Sequence, residues 1–186
     1  MRYSIYYKIL VFFIILWISP VNAQFFQTSS AQISFFSKTP LEDIKAKSHE
    51  GISVLNSSTG EILFKINIRS FQFKKSLMQE HFNENYMESE KYPNAEFKGI
   101  SIVPIDITST KNQEVIFKGD FTVHGVTKER ELKTTIKLID GDTLFLESDF
   151  QVKCEDHNIK IPRILWQNIA ESIDVHVYAT YQIVSK

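Results

Sequence analysis

Apolar residues recur along most of this chain with a period of two. In the segment EILFKINIRSF, residues 61–71, every second side chain from Ile62 to Ile68 is apolar. Alternate residues of a β-strand point to opposite faces, so this period is typical of a strand with one apolar face. The segments EVIFKGDFTVHG, residues 114–125, and IDVHVYATYQIV, residues 173–184, have the same pattern. All three are predicted to be strands.

Five further segments with this character bring the expected number of strands to eight: residues 27–37, 44–55, 96–107, 128–139 and 142–154. Short stretches suited to turns, SSTG, STKNQ, HGVTKE and DGD, separate neighbouring segments. Consecutive antiparallel strands with one apolar face each predict an all-β fold that closes into an up-and-down barrel, which removes exposed sheet edges. A sandwich of two sheets is the alternative.

Helix is expected in only two places, where short helices would cap the barrel. The first is residues 74–82, and the second is residues 164–171. The second begins after a proline and has one apolar side, formed by Ile164, Leu165, Trp166 and Ile169.

An eight-stranded barrel is either filled by its own side chains or just wide enough for one slender ligand. The alternation does not distinguish a filled interior from a hollow one. If the barrel is hollow, we expect its wall to be formed by the inward side chains Phe64, Ile66, Phe97, Phe117, Phe121, Val123, Leu132, Ile136, Val175 and Val177. At the mouths we expect Phe82, Tyr86 and Trp166.

The segment LMQEHFNENYMESEKYPNAEF, residues 77–97, has two interpretations. In a helix, His81, Glu84 and Glu88 would share a face and could hold a metal. The asparagines and the following proline favour a loop instead. In this second and favoured interpretation, the segment covers one barrel mouth with the apolar side chains of Leu77, Met78, Phe82, Tyr86 and Met87.

The remaining histidines and the cysteine favour structural roles. His124 and Gly125 form a tight turn in which the ring would bond a backbone carbonyl and the glycine would take a positive φ. His157 lies in a polar loop, and His176 is expected to be exposed on the outer face. Cys154 follows the apolar alternation and is expected to be buried, although a cysteine–histidine nucleophilic pair is the alternative.

The N-terminus has the three-part pattern of a secretory signal. Arg2 and Lys8 precede an apolar run at residues 9–18, which is too short to span a bilayer as a helix, and a small-residue exit ends at Ala23. We therefore expect a signal peptide at residues 1–23, a single domain at residues 24–186, and a periplasmic or secreted protein.

Charge argues against nucleic-acid binding, and the motifs give no positive case for an enzyme. Without residues 1–23, the chain loses two of its 21 basic residues and none of its 22 acidic residues, which leaves a net charge of −3. No basic stripe for nucleic acid is present. The sequence also has no nucleophile elbow, phosphate loop, zinc motif or calcium loop. No cofactor and no catalytic residue are predicted.

GDFTVHGVTKERELKTTIKL, residues 119–138, is predicted to form strand, turn and strand, and EHFNENYMESEKYPNAEFKG, residues 80–99, has Lys-Tyr-Pro before a phenylalanine. These two stretches resemble the signature segments of the YceI family. The resemblance implies a lipocalin-like barrel, exported to the periplasm, that holds an isoprenoid or other lipid. Longer members have Ile-Asn-Arg followed by Asp-Phe-Gly near the C-terminus, where this chain reads CEDHNIKIPRILWQNIAESIDVHV.

Three functional hypotheses follow. The leading one is a protein that binds an apolar isoprenoid-like or fatty chain inside the barrel. The second is a filled barrel whose acidic segment, residues 84–90, docks an envelope protein; a homodimer is also compatible with the sequence. The third is a lipid-acting enzyme, which would depend on His81 or His124.

Overall fold

The computed structural model describes residues 24–38, 43–161 and 171–184. These residues contain nine strands, whose bounds are β1 Phe25–Ser37, β2 Ile44–Asn56, β3 Glu61–Asn67, β4 Gln72–Phe73, β5 Asn94–Ser101, β6 Gln113–Val123, β7 Val126–Leu138, β8 Thr143–Lys153 and β9 Ser172–Ile183. One α-helix, α1, spans Ser76–His81 and continues into a π turn at Phe82–Tyr86. Single 3-10 turns occupy Ile68–Ser70 and Glu155–His157.

The strands form a closed antiparallel barrel. The sheet runs in the order β1-β9-β8-β7-β6-β5-β3-β2, and β1 also pairs with β2. This last pairing closes eight strands into a ring, which confirms the predicted barrel and rules out the sandwich of two sheets. β4 was not predicted; it has two residues and pairs with the edge of β2 that also pairs with β3, further along β2.

The predicted faces of the strands are also confirmed. In β6, Val115, Phe117, Phe121 and Val123 are buried, while the residues between them are half-buried or exposed. In β9, Val177, Ala179 and Tyr181 point inward and Tyr178 is exposed. The interior is therefore built from every second residue, as the period of two requires.

Two strands end earlier than the alternation predicts. β3 stops at Asn67, whose side chain accepts a hydrogen bond from the backbone N–H of Arg69 and starts a 3-10 turn. β5 stops at Ser101 instead of continuing to residue 107. Pro104 follows shortly and has no backbone N–H with which to extend the ladder.

The helical segments differ from the prediction in extent. The first was expected at residues 74–82 with loop after it, but the helical backbone continues to Tyr86 through the π turn. Asn83 stabilises this turn, because its side-chain amide donates to the carbonyl of Gln79 at 2.9 Å. The second predicted helix, residues 164–171, lies outside the described residues except for Glu171. No helix among the described residues is both long and apolar enough to cross a membrane.

The barrel interior is divided along its axis. At the end that carries the β2–β3 and β7–β8 turns, six side chains fill the lumen with at most 1% of their surface exposed: Phe26, Leu55, Val115, Ile136, Leu144 and Tyr181. The Tyr181 hydroxyl donates to Ser53 Oγ at 2.8 Å, so its polar atom is satisfied inside this plug. We call this half the filled end.

Candidate functional site

The other half of the barrel encloses a cavity of about 480 Å³. α1 and the π turn, residues 76–86, lie over it together with Met87, and we call residues 76–87 the cap. Eleven of the thirteen residues predicted for the wall and mouths line this cavity: Phe64, Ile66, Phe82, Tyr86, Phe97, Phe117, Phe121, Val123, Leu132, Val175 and Val177. Their contact with a ligand remains a prediction.

Ile136 is the one described residue whose predicted place at the cavity wall is wrong. Its side chain points inward and is fully buried, but it packs in the filled end. The alternation identifies the inward face of β7 correctly and carries no information on position along the barrel axis. Trp166, predicted for a mouth, lies outside the described residues.

Sequence reasoning missed an aromatic cluster beneath the cap. The ring of Phe82 stacks on Phe35 with centroids 5.3 Å apart, and it contacts Phe73 at 5.0 Å and Phe71 at 5.9 Å. All four rings line the cavity. The alternation in residues 27–37 could have identified Phe35. Phe71 and Phe73 follow the end of β3 and are not part of an alternating apolar pattern.

The cap presents most of its predicted apolar side to the cavity. Met78, Phe82, Tyr86 and Met87 line it, as expected for a segment that covers a barrel mouth. Leu77 is a correction, because 59% of its surface is exposed. Burial raises the pKa of the Tyr86 hydroxyl, which stays protonated at neutral pH.

Few polar groups interrupt the apolar wall. The polar residues that line it are Ser37, His81, Glu96, Thr134 and Ser148, and the Glu96 carboxylate pairs with Lys65 at 3.0 Å. Ser148 Oγ donates to the Lys133 carbonyl at 2.7 Å. A wall of this composition suits an apolar chain, because burial of an unsatisfied polar group against it would be costly.

His124 joins the β6–β7 turn to the segment that follows the cap. As predicted, its ring bonds a backbone carbonyl, that of His157, with Nδ1 at 3.1 Å. The sequence did not indicate the second bond, between Nε2 and Glu88 Oε2 at 2.9 Å. Both ring nitrogens thus lie within hydrogen-bond distance of an oxygen atom. This geometry anchors the chain beside the cap.

His157 lies in the connection after β8, where a polar loop was predicted, but its side chain is buried. Its side chain is 1% exposed, its Nδ1 donates to the Val126 carbonyl at 3.1 Å, and its ring stands edge-on to Phe121. Burial lowers the pKa of this imidazole. Because Phe121 lines the cavity, His157 supports the wall from behind.

Cys154 is buried, as predicted, and lines the cavity. Burial raises the pKa of its thiol to about 11, so the reactive thiolate is scarce at neutral pH. This environment is opposite to the one that activates a nucleophilic cysteine.

The carboxylates and histidines that could hold a metal are arranged differently from the sequence hypothesis. Among the described residues, ligand atoms of His81, Glu84 and Glu88 do not form a cluster, and the group that does is Glu147, Asp149 and His176 on the outer face. His176 is half-buried and not simply exposed as predicted. Its Nδ1 lies 2.6 Å from Asp149 Oδ1, and its Nε2 lies 3.7 Å from Glu147 Oε1. The two carboxylates thus approach different nitrogens of one ring.

Solved structures support the fold. A polyisoprenoid binding domain from Saccharophagus degradans matches with a TM-score of 0.74 at 12% identity, over 88% of this chain and 100% of that chain. BcnA from Burkholderia cenocepacia matches with a TM-score of 0.69 at 13% identity, over 81% of this chain and 95% of that chain. A YCEI protein from Campylobacter jejuni matches with a TM-score of 0.59 at 15% identity, over 80% and 90%.

The sequence itself gives the family. No curated protein matches it. The family model of the YceI-like domain matches residues 13–181, which include the signature stretches, the cap and all of the barrel except the last two residues of β9. With the closed eight-stranded barrel and its apolar cavity, this match establishes that the chain belongs to the YceI-like domain family.

Proposed function

We propose that this protein binds a single apolar lipid chain, of isoprenoid-like or fatty type, inside the capped half of its barrel. The observation that carries the proposal is the cavity of about 480 Å³ with its aromatic and aliphatic wall. This volume lies within the range of natural small-molecule sites. The likeness to the polyisoprenoid binding domain of Saccharophagus degradans supports the same ligand class.

The binding free energy would come from transfer of methylene groups out of water. Each buried methylene contributes roughly 0.8 kcal/mol, so a chain of about sixteen carbons contributes roughly 12 kcal/mol before the cost of immobilising it. That cost is of order 4–15 kcal/mol, and a preformed cavity lowers it. The wall supplies this gain without a catalytic group, cofactor or metal.

The two other sequence hypotheses receive less support. A filled interior fits only half of the barrel, and the acidic segment proposed for docking is partly engaged within the protein, since Glu88 bonds His124 and Glu90 pairs with Arg69 at 3.0 Å. An enzyme would depend on His81 or His124. Both ring nitrogens of His124 already have partners, and His81 lies at the cavity wall among mostly apolar side chains. We therefore favour a binding protein.

Export to the periplasm or the exterior belongs to the same proposal. It rests on the signal pattern of residues 1–23, which are outside the described residues. Cell fractionation followed by N-terminal sequencing tests it, and a mature chain that begins at Gln24 in the exported fraction is the expected result. An intact N-terminus in the cytoplasmic fraction would contradict it.

Chain binding can be tested by enlarging one side chain of the wall. Phe117 lines the cavity from the middle of β6, so the larger indole in Phe117→Trp should occupy ligand space and reduce the stoichiometry of a bound fluorescent fatty acid. Leu63→Trp is the control, because Leu63 faces outward and is 44% exposed. Equal binding by both variants, with folding verified by circular dichroism, would contradict the site.

A further inference from the structure

The barrel wall is incompletely hydrogen-bonded between β7 and β8. Register pairs join residues 135–138 of β7 to residues 144–147 of β8 and stop there. On the other sides, β6 and β7 stay paired up to their turn, and β8 stays paired with β9 as far as Lys153. The two hairpins therefore diverge toward the cap. We call the gap between residues 126–134 and residues 148–153 the wedge.

Side chains hold the wedge at both ends. The hydrogen bond from Ser148 to the Lys133 carbonyl closes its narrow end. At its wide end, the ring of His157 bonds the Val126 carbonyl. The opening between these two contacts is part of the native wall, and its edges belong to the strands that line the cavity.

Arg130 lies in the wedge. It pairs with Gly119 on the β6 side and has the same inward parity as Leu132, although its side chain is only half-buried. Its guanidinium carbon is 5.8 Å from the ring centre of Phe121 and 5.8 Å from that of Phe150. Both rings line the cavity. The positively charged guanidinium of Arg130 thus lies next to two rings of the cavity wall.

This guanidinium has no anionic partner within the part of the chain that the structure describes. The neighbouring Glu129 pairs with Lys118 at 3.2 Å instead. Burial lowers the pKa of the His157 imidazole, on which the charges of Asp156 and Arg130 act in opposite directions. Arginine is the side chain best shaped to bind a planar or tetrahedral oxyanion through two parallel N–H bonds.

We propose that Arg130 binds the anionic head of an amphiphile whose chain lies in the cavity, with the head entering the wedge between Phe121 and Phe150. The ligand class is then a long-chain carboxylate or phosphate. This inference rests on the proposed function, because the cavity must first hold the chain. A half-buried guanidinium binds an oxyanion more strongly than an exposed one, since water competes less for the charge.

The experiment compares two probes with the same chain and different heads. Hexadecanoic acid and hexadecan-1-ol are titrated at pH 8 into the wild-type protein, Arg130→Gln, Arg130→Lys and the control Lys133→Gln. Lys133 is exposed on the same strand and its removal changes the net charge equally. We expect the wild-type protein and the control to prefer the acid by at least about tenfold. Arg130→Gln should lose this preference and Arg130→Lys should keep part of it.

The outcomes separate the two proposals. If both probes bind and the preference for the acid is absent from the wild-type protein or survives in Arg130→Gln, the head site is wrong and the chain site stands. If neither probe binds any of the proteins, the proposed function itself is contradicted. Stoichiometric binding of inorganic phosphate alone, lost in Arg130→Gln, would assign the guanidinium to a free anion and overturn the headgroup proposal. Thermal unfolding of each variant verifies that it is folded.

Discussion

At the scale of single residues, burial and hydrogen-bond partners show which polar side chains have a structural role. His124 is 8% exposed and has a carboxylate and a carbonyl as partners. Its position in a turn could be predicted from the residues His124 and Gly125, because that dipeptide suits a positive φ. Its bond to Glu88 could not, because the two residues are far apart in sequence and meet only when the barrel closes.

Removal of Glu88 should therefore destabilise the protein. In Glu88→Ala, the Nε2 of the buried His124 ring loses its acceptor, and we expect the free energy of unfolding to fall by about 1 kcal/mol. Urea denaturation measures the change. Glu84→Ala removes an exposed carboxylate from the π turn and serves as the control. Identical unfolding free energies for the two variants would show that the bond contributes nothing.

The buried thiol of Cys154 predicts a loss of stability at alkaline pH. Burial raises its pKa from 9.0 to about 11 in the folded protein. Between these values the unfolded chain releases the thiol proton and the folded protein retains it, so stability is fully present below pH 9 and falls as the pH rises to 11. We expect a loss of about 2 kcal/mol that Cys154→Ala lacks. Parallel pH profiles of the unfolding free energy for both proteins would contradict the assignment.

At the scale of elements, the turn between β6 and β7 shows a local requirement for glycine. His124 and Gly125 have φ values of 50° and 72°, so both turn residues are left-handed. A Cβ atom at Gly125 would also overlap the ring of Tyr92, which stands edge-on to the ring of His124. The turn residues His124 and Gly125, which belong to the signature stretch at residues 119–138, thus lie against Tyr92, which follows the cap.

Gly125→Ala should accordingly be costly. Left-handed backbone strain and the overlap with Tyr92 should together lower the unfolding free energy by about 1–3 kcal/mol. Gly141→Ala is the matched control, because a Cβ atom there meets nothing within 4 Å. The midpoints of thermal unfolding measure both changes. A Gly125→Ala protein as stable as the Gly141→Ala protein would refute the steric argument.

Alternation predicted the strands and their faces because each is a local property of the sequence. It did not predict where β3 and β5 end, since these ends depend on side-chain bonds and on a proline that act against the apolar pattern. Nor could it predict the wedge. Lys128 and Arg130 interrupt the apolar face of β7 within residues 126–134, but the loss of pairing there depends on how two hairpins diverge in space.

At the scale of the whole molecule, one barrel combines a stabilising plug with a cavity. The filled end buries six large side chains, and burial raises the pKa of Tyr181 there. The capped half leaves about 480 Å³ between similar residue types. Leu132 and Ile136 illustrate the limit of prediction: they have the same parity on β7, but Leu132 lines the cavity and Ile136 belongs to the plug.

The central claim is that the cavity holds a lipid chain, and native mass spectrometry tests it most directly. The protein is purified from its own host under gentle conditions, its mass is measured, and the bound material is extracted and identified. We expect about one lipid per chain, with an apolar tail that the cavity can enclose. A protein of apo mass, unchanged after incubation with envelope lipids, would contradict the account.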